Sequence, residues 1–199
     1  MDIGFNEIAP DFDFIPAFTC GRLILRHIDE HNFERLLLHS NQQAVRLFLG
    51  STNDAVWEEQ LRRYKAGLHS WNNTFCHFFL FKPSDTSRAI GYCGFHQIHP
   101  GHRRAELGYS LFSDEFKRQG LMTEAVQFVI SFGFRHLKLI RIEAMTSPEN
   151  LASKKILENN GFQLEGHLRQ NYLRDGKAED SLMYALLNEE ELNLMRENI

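Results

Sequence analysis

The run Leu121–Leu137, LMTEAVQFVISFGFRHL, constrains the fold more than any other stretch of the chain. Its apolar residues recur at helical spacing but occupy more than one face of the helix. Such a helix has to be covered on a broad front, and a β-sheet offers a surface wide enough to do that. The flanking segments supply the sheet. Cys20–Ile28, Asn73–Lys82, Arg88–Ile98, Arg103–Phe112, Lys138–Thr146, Gln163–Tyr172 and Asp180–Leu187 have the alternation or β-rich content of strands. Asp29–Gly50, Asn53–Trp71 and Ser147–Phe162 have helical spacing. In the last of these Ser147 is the expected N-cap, Pro148 takes the first helical position and Gly161 follows the final turn. Turns are expected at Pro83–Asp85 and at Asp175–Gly176.

The order β, α, α, three strands, α, β, α, two strands implies an α/β or α+β layered domain. Its mixed sheet has about seven strands and four main helices. Residues 1–18 are expected to be an irregular arm, 19–187 a single domain, and 188–199 an acidic tail with a short exposed helix.

Composition narrows the partners. A formal net charge of -4 argues against broad nucleic-acid binding, which needs a basic surface, but allows a local basic patch for a small anion. Cys20, Cys76 and Cys93 lack CxxC spacing and sit in strand-like surroundings, as buried thiols do in a reducing compartment. The N-terminus has no basic region followed by an apolar core, and no apolar run approaches the ~18 residues of a membrane span. The expectation is a soluble, cytoplasmic protein with no membrane partner.

Three stretches carry possible chemistry. In Arg103–Phe112, alternation puts Ala105, Leu107, Tyr109 and Leu111 on one face and Glu106, Gly108 and Ser110 on the other. A central strand would make Glu106 a partly desolvated carboxylate lining a cleft; an edge strand would leave that face in water. In EFKRQGLMTEA, the cations Lys117 and Arg118 precede Gly120 and a helix start, whose free N–H groups and dipole favour an anion. It is neither a Walker loop nor GxGxxG, and a basic turn before a helix is also an ordinary structural feature. In NLASKKILENNGF, Asn150 and Ser153 share a helix face, a position that suits capping as well as ligand contact. His96, His99 and His102 have metal-like spacing, but Pro100–Gly101 rules out a shared helix, so a surface or cleft-rim role is expected and no metal.

The order of these stretches resembles the GNAT N-acetyltransferases, and within them the branch that acetylates ribosomal-protein N-termini. The likeness is carried by AELGYSLF, FKRQGLMTEAVQFVISFGF and IRIEAMTSPENLASKKILENNGF, with CGRLILR, IGYCGF and YLRDGKAEDSLMYAL beside them. It runs from about Thr19 to Leu187. It implies a GNAT fold with a mostly antiparallel central sheet and an acetyl-CoA-dependent transferase acting on a primary amine. By the resemblance, backbone N–H groups of Gln119, Gly120, Leu121, Met122 and Thr123 hold the pyrophosphate. Lys117 stands where the family has Gln or Arg. Arg118 stands where a glycine is usual, losing cheap access to positive φ but adding a cation.

The strand end at Leu111 and Phe112 is implied to pair with the pantetheine arm. Asn150 matches the residue that bonds that arm, and Ser153 matches a position proposed to protonate the leaving thiolate. Glu106 is the candidate proton acceptor, and an N–H near Leu111 the candidate oxyanion donor. The acceptor is expected to be a protein N-terminal amine, with a polyamine, amino sugar or antibiotic amine as the alternative. Trp57, Tyr64, Trp71 and Tyr172 lie in segments expected to shape that choice. A non-catalytic acyl-CoA-binding module and an interaction protein are the other classes. Homodimers are common in the branch.

Overall fold

The structure, a computed structural model, describes residues 12, 14–39, 41–51, 53–69, 75–174 and 176–197. Trp71, Asp175 and most of the 1–18 arm lie outside them. Eight strands form the sheet, in the order β1-β2-β3-β4-β5-β6-β8-β7. They are β1 Ala17–Cys20, β2 Leu23–Ile28, β3 Cys76–Phe81, β4 Gly91–His99, β5 Arg104–Leu111, β6 Arg141–Thr146, β7 Gln163–Arg174 and β8 Lys177–Leu187. The helices are α1 Glu30–Leu37, α2 Gln42–Phe48, α3 Asp54–His69, α4 Leu121–Arg135, α5 Leu151–Asn159 and α6 Glu189–Glu197.

The chain divides into two compact units. The first comprises described residues within Met1–Gln97 and Tyr109–Val129, the second Ile98–Gly108 and Ile130–Ile199.

In the first unit β1 to β4 form an antiparallel ladder. The expected strand Cys20–Ile28 is split, and the end of the expected arm is itself strand, because Gly21 at φ +53° starts a two-residue hairpin loop. That split accounts for the eighth strand. Burial on both faces makes β2 central: Leu23, Leu25 and Ile28 are inaccessible, and so is most of Arg26. The Arg26 guanidinium donates to the Phe12 carbonyl at 2.8 Å, which offsets its desolvation. Phe33, Phe48, Phe79 and Phe81 fill the core with Ile28 and Leu36, and each side chain contributes about 1.5–3 kcal/mol of burial. Trp57 belongs to this core too.

The single helix expected over Asp29–Gly50 is two. Asp29 and Asn32 form a reciprocal capping box that starts α1, and Asn41 accepts from the Ala44 N–H to start α2. The break falls between α1 and α2, where the Asn41 side chain starts a new helix at the polar run His39 to Gln43.

In the second unit β5 runs parallel to β6, with Glu106 opposite Glu143, and β6, β8 and β7 continue antiparallel. Ala105, Ile142, Ala144 and Tyr184 point to the face under α5; the Tyr184 hydroxyl reaches Glu158 of that helix at 3.1 Å. The tail helix α6 is tied down rather than free. Arg103, in the left-handed region at φ +50°, bonds the Lys138 carbonyl and pairs with Glu191 at 2.8 Å. Among the described residues no helix is long and apolar enough to cross a membrane.

Candidate active site

The first unit carries the expected anion loop. Ser113 opens one 3-10 turn, Asp114–Phe116, and Lys117 closes it with its N–H on the Asp114 carbonyl at 3.1 Å. The Lys117 ammonium pairs with the Asp114 carboxylate at 2.5 Å. Arg118 then takes φ +58° and Gly120 φ +77°, so the arginine adopts the backbone that a glycine holds cheaply. The first helical bond of α4 runs from Glu124 N–H to the Gly120 carbonyl at 3.2 Å. The N–H groups of Leu121, Met122 and Thr123 therefore have no helical acceptor, and the helix dipole adds to their attraction for an anion. Leu121 and Met122 bury their side chains, so only their backbone can serve a ligand.

A left-handed conformation costs a residue with a β-carbon about 1–2 kcal/mol, partly offset for glycine by unfolded-state entropy. Arg118→Gly is accordingly expected to raise the melting temperature by about 1–3 °C in a thermal scan. A fall would mean that the arginine side chain makes contacts worth more than the strain.

One cation at this loop has no local signature. Arg22, from the Gly21–Arg22 turn, places Nε and Nη2 on Glu124 Oε1 at 2.8 and 2.6 Å, and Nη2 also on the Gln119 carbonyl at 2.7 Å. The Arg22 N–H donates to the other Glu124 oxygen at 3.0 Å. These bonds, led by that backbone N–H, hold the Glu124 carboxyl below its ordinary range. At the end of β5, Phe112 donates its N–H to the Ile90 carbonyl at 2.9 Å, so that donor is already used. Its ring packs near Phe79 and Tyr92, and Leu111 abuts Gly91.

The second unit carries the remaining candidates. Glu106 is only 6% exposed, which overturns the edge-strand alternative and leaves a desolvated carboxylate within β5. Glu143 opposite it is engaged by Arg104 at 2.7 Å and Arg141 at 2.8 Å. Arg141 also grips Glu165, the main cause of its raised pKa.

In β7, a register shift between Leu168 and Tyr172, with Gln170 at φ +50°, turns Asn171 and Tyr172 toward Met145 of β6. Tyr172 stays a neutral phenol: desolvation, then the Glu106 charge, raises its pKa. Asn150, not Ser147, caps α5, accepting from the Ser153 N–H at 3.0 Å. The helix begins at Leu151, so Pro148 lies ahead of it. Ser153 is 9% exposed, in the first turn of α5. Among the described residues no group of three or more His, Cys, Asp or Glu is arranged to hold a metal ion.

Residues 22–163 match the acetyltransferase (GNAT) domain, more than half of the chain. The protein is 31% identical over 176 residues to the uncharacterized N-acetyltransferase YoaA of Bacillus subtilis, covering 88% of this chain and 99% of that one. It is 34% identical over 119 residues to the ribosomal protein uS5-alanine N-acetyltransferase of Escherichia coli, covering 59% of this chain and 60% of the relative. Among solved structures, the ribosomal-protein-S5-alanine acetyltransferase of Vibrio fischeri superimposes with a TM-score of 0.63 at 21% identity, covering 87% of this chain and 97% of that one. The spermidine N-acetyltransferase SpeG of Vibrio cholerae, a dodecamer, gives 0.61 at 21%, covering 87% and 98%. The chain belongs to the GNAT family, and it is an N-acetyltransferase.

Proposed function

We propose that the protein transfers the acetyl group of acetyl-CoA to the α-amine of a protein N-terminus. The observation that carries the acceptor class is the pairing of the carboxylates on the neighbouring strands. Each of the four carboxylates on β6, β7 and β8 is already engaged: Glu143 and Glu165 by arginines, Glu179 by Arg174 at 3.5 Å, and Asp180 by His167 at 2.7 Å. A polyamine brings two or more ammonium groups, and seating the second on one of these carboxylates means displacing a partner it already has. A single α-ammonium brings no second charge to seat. Its pKa of roughly 8, against roughly 10 for a lysine, also makes it the easier amine to deprotonate.

The residues fit the donor. The loop offers backbone N–H groups at the start of α4, and Gly120 leaves it open, since a β-carbon there meets only Arg22 Nη2 at 3.4 Å. Acetyl-CoA supplies an activated acetyl thioester. Gln119 to Thr123 hold its pyrophosphate, with Lys117 and Arg118 adding positive charge at the surface. Leu111 and Asn150 serve the pantetheine arm; with its oxygen on the Ser153 N–H, Asn150 presents its amide NH2 as the donor. Glu106 takes the proton from the attacking amine, and Ser153 gives one to the departing thiolate.

Thiol release in the presence of acetyl-CoA tests the acceptor class. A set of N-terminal peptides is expected to support turnover at least tenfold faster than spermidine at equal concentration. The reverse order would move the protein to small polycationic acceptors.

A further inference from the structure

We propose that Arg22 is a positioning residue for the donor: it sets the direction of the Gly120 N–H and cancels a carboxylate that would repel the pyrophosphate. The inference rests on reading Gln119 to Thr123 as the phosphate cradle.

The first effect follows from peptide planarity. The Gln119 carbonyl and the Gly120 N–H belong to one rigid trans unit and point opposite ways. Arg22 Nη2 draws the carbonyl to itself at 2.7 Å, so the N–H is held on the other side. Gly120, with neither a β-carbon nor a preferred hand, has no means of fixing that plane alone.

The second effect is electrostatic. Glu124 stands in the first turn of α4, where its charge would oppose a bound phosphate. Arg22 covers both of its oxygens, through Nε and Nη2 on one and its own N–H on the other.

The surroundings are fitted to this brace. A β-carbon at Gly21 would fall 2.5 Å from Glu124 Oε2, so only glycine lets the carboxylate reach the Arg22 N–H. Cys20 Sγ adds a contact to the Glu124 carbonyl at 3.4 Å. By contrast Lys117, a cation of the loop itself, is paired with Asp114.

Steady-state kinetics with two donors, acetyl-CoA and S-acetylpantetheine, which has no pyrophosphate, test the proposal. Arg22→Gln is expected to raise KM for acetyl-CoA about tenfold or more, with kcat within about twofold, and to leave kcat/KM for S-acetylpantetheine unchanged. The double variant R22Q/E124Q is expected to regain part of the lost affinity, because the exposed carboxylate is gone. Arg22→Lys keeps the charge but not the two-point grip, and its Kd for CoA by calorimetry is expected to fall between those of the unmodified protein and R22Q. Equal losses with both donors, or no recovery in the double variant, would reduce Arg22 to a structural brace and overturn the proposal. Equal use of the two donors by the unmodified protein is a separate result: it overturns the cradle itself, and the proposal with it.

Discussion

Glu106→Gln is expected to lower kcat for a peptide amine by about 10²- to 10⁴-fold, the usual range for loss of a positioned proton acceptor. The amide matches the carboxylate in size, so the 6%-exposed site stays filled and β5 keeps its register with β6. The proposed donor-binding segment is a different one, so the melting-temperature rise expected from acetyl-CoA should persist. The loss should also shrink as pH rises, because more of the amine is then neutral without help. Unchanged turnover at neutral pH would remove Glu106 from the chemistry and leave alignment of the reactants as the source of rate.

The second large effect is on stability in mild acid, and His77 governs it. The imidazole packs against Phe75 and Tyr92, with ring centroids at 5.3 and 5.5 Å. Burial, then the nearby His96 and His27, lowers its pKa to about 3. An unfolded histidine titrates near 6.5. The folded pKa is depressed, so between about pH 3 and 6.5 the unfolded chain holds the extra proton. The neutral imidazole's contribution is complete above pH 6.5 and is lost as pH falls through that window. The slope is about 1.4 kcal/mol per pH unit for this one proton. His27 is shifted the same way by burial, so the observed slope should exceed that of one group. Denaturant titrations between pH 7 and 5 would measure it, and His77→Phe should remove about one proton's share. A pH-independent midpoint over that range would contradict the account.

The layered architecture was legible because period-2 and period-3.6 patterns are local. The broad apolar face of LMTEAVQFVISFGF places α4 against strands, and Gly120 with Lys117 and Arg118 marks the loop before it. Four features were not legible, for physical reasons. Ser147 is a good cap in isolation, yet Asn150 wins because its side chain reaches the Ser153 N–H while Ser147 and Pro148 sit in a turn. The break between α1 and α2 falls at a polar run, His39 to Gln43, that also reads as the exposed face of one long helix. The Arg22–Glu124 brace joins residues 102 apart, a contact no window of sequence contains. Its one trace was Gly21, a glycine between two strand-like residues, where a close approach is a standing possibility. The burial of Glu106 depended on whether β5 was central, and strand order is a property of the whole sheet.

The most direct test uses one peptide that carries both a free α-amine and an internal lysine. Incubated with the protein and acetyl-CoA near neutral pH, it should gain a single acetyl group, and fragment mass spectra should place it on the N-terminal nitrogen. Acetylation of the lysine, or none while spermidine is acetylated, would contradict the account.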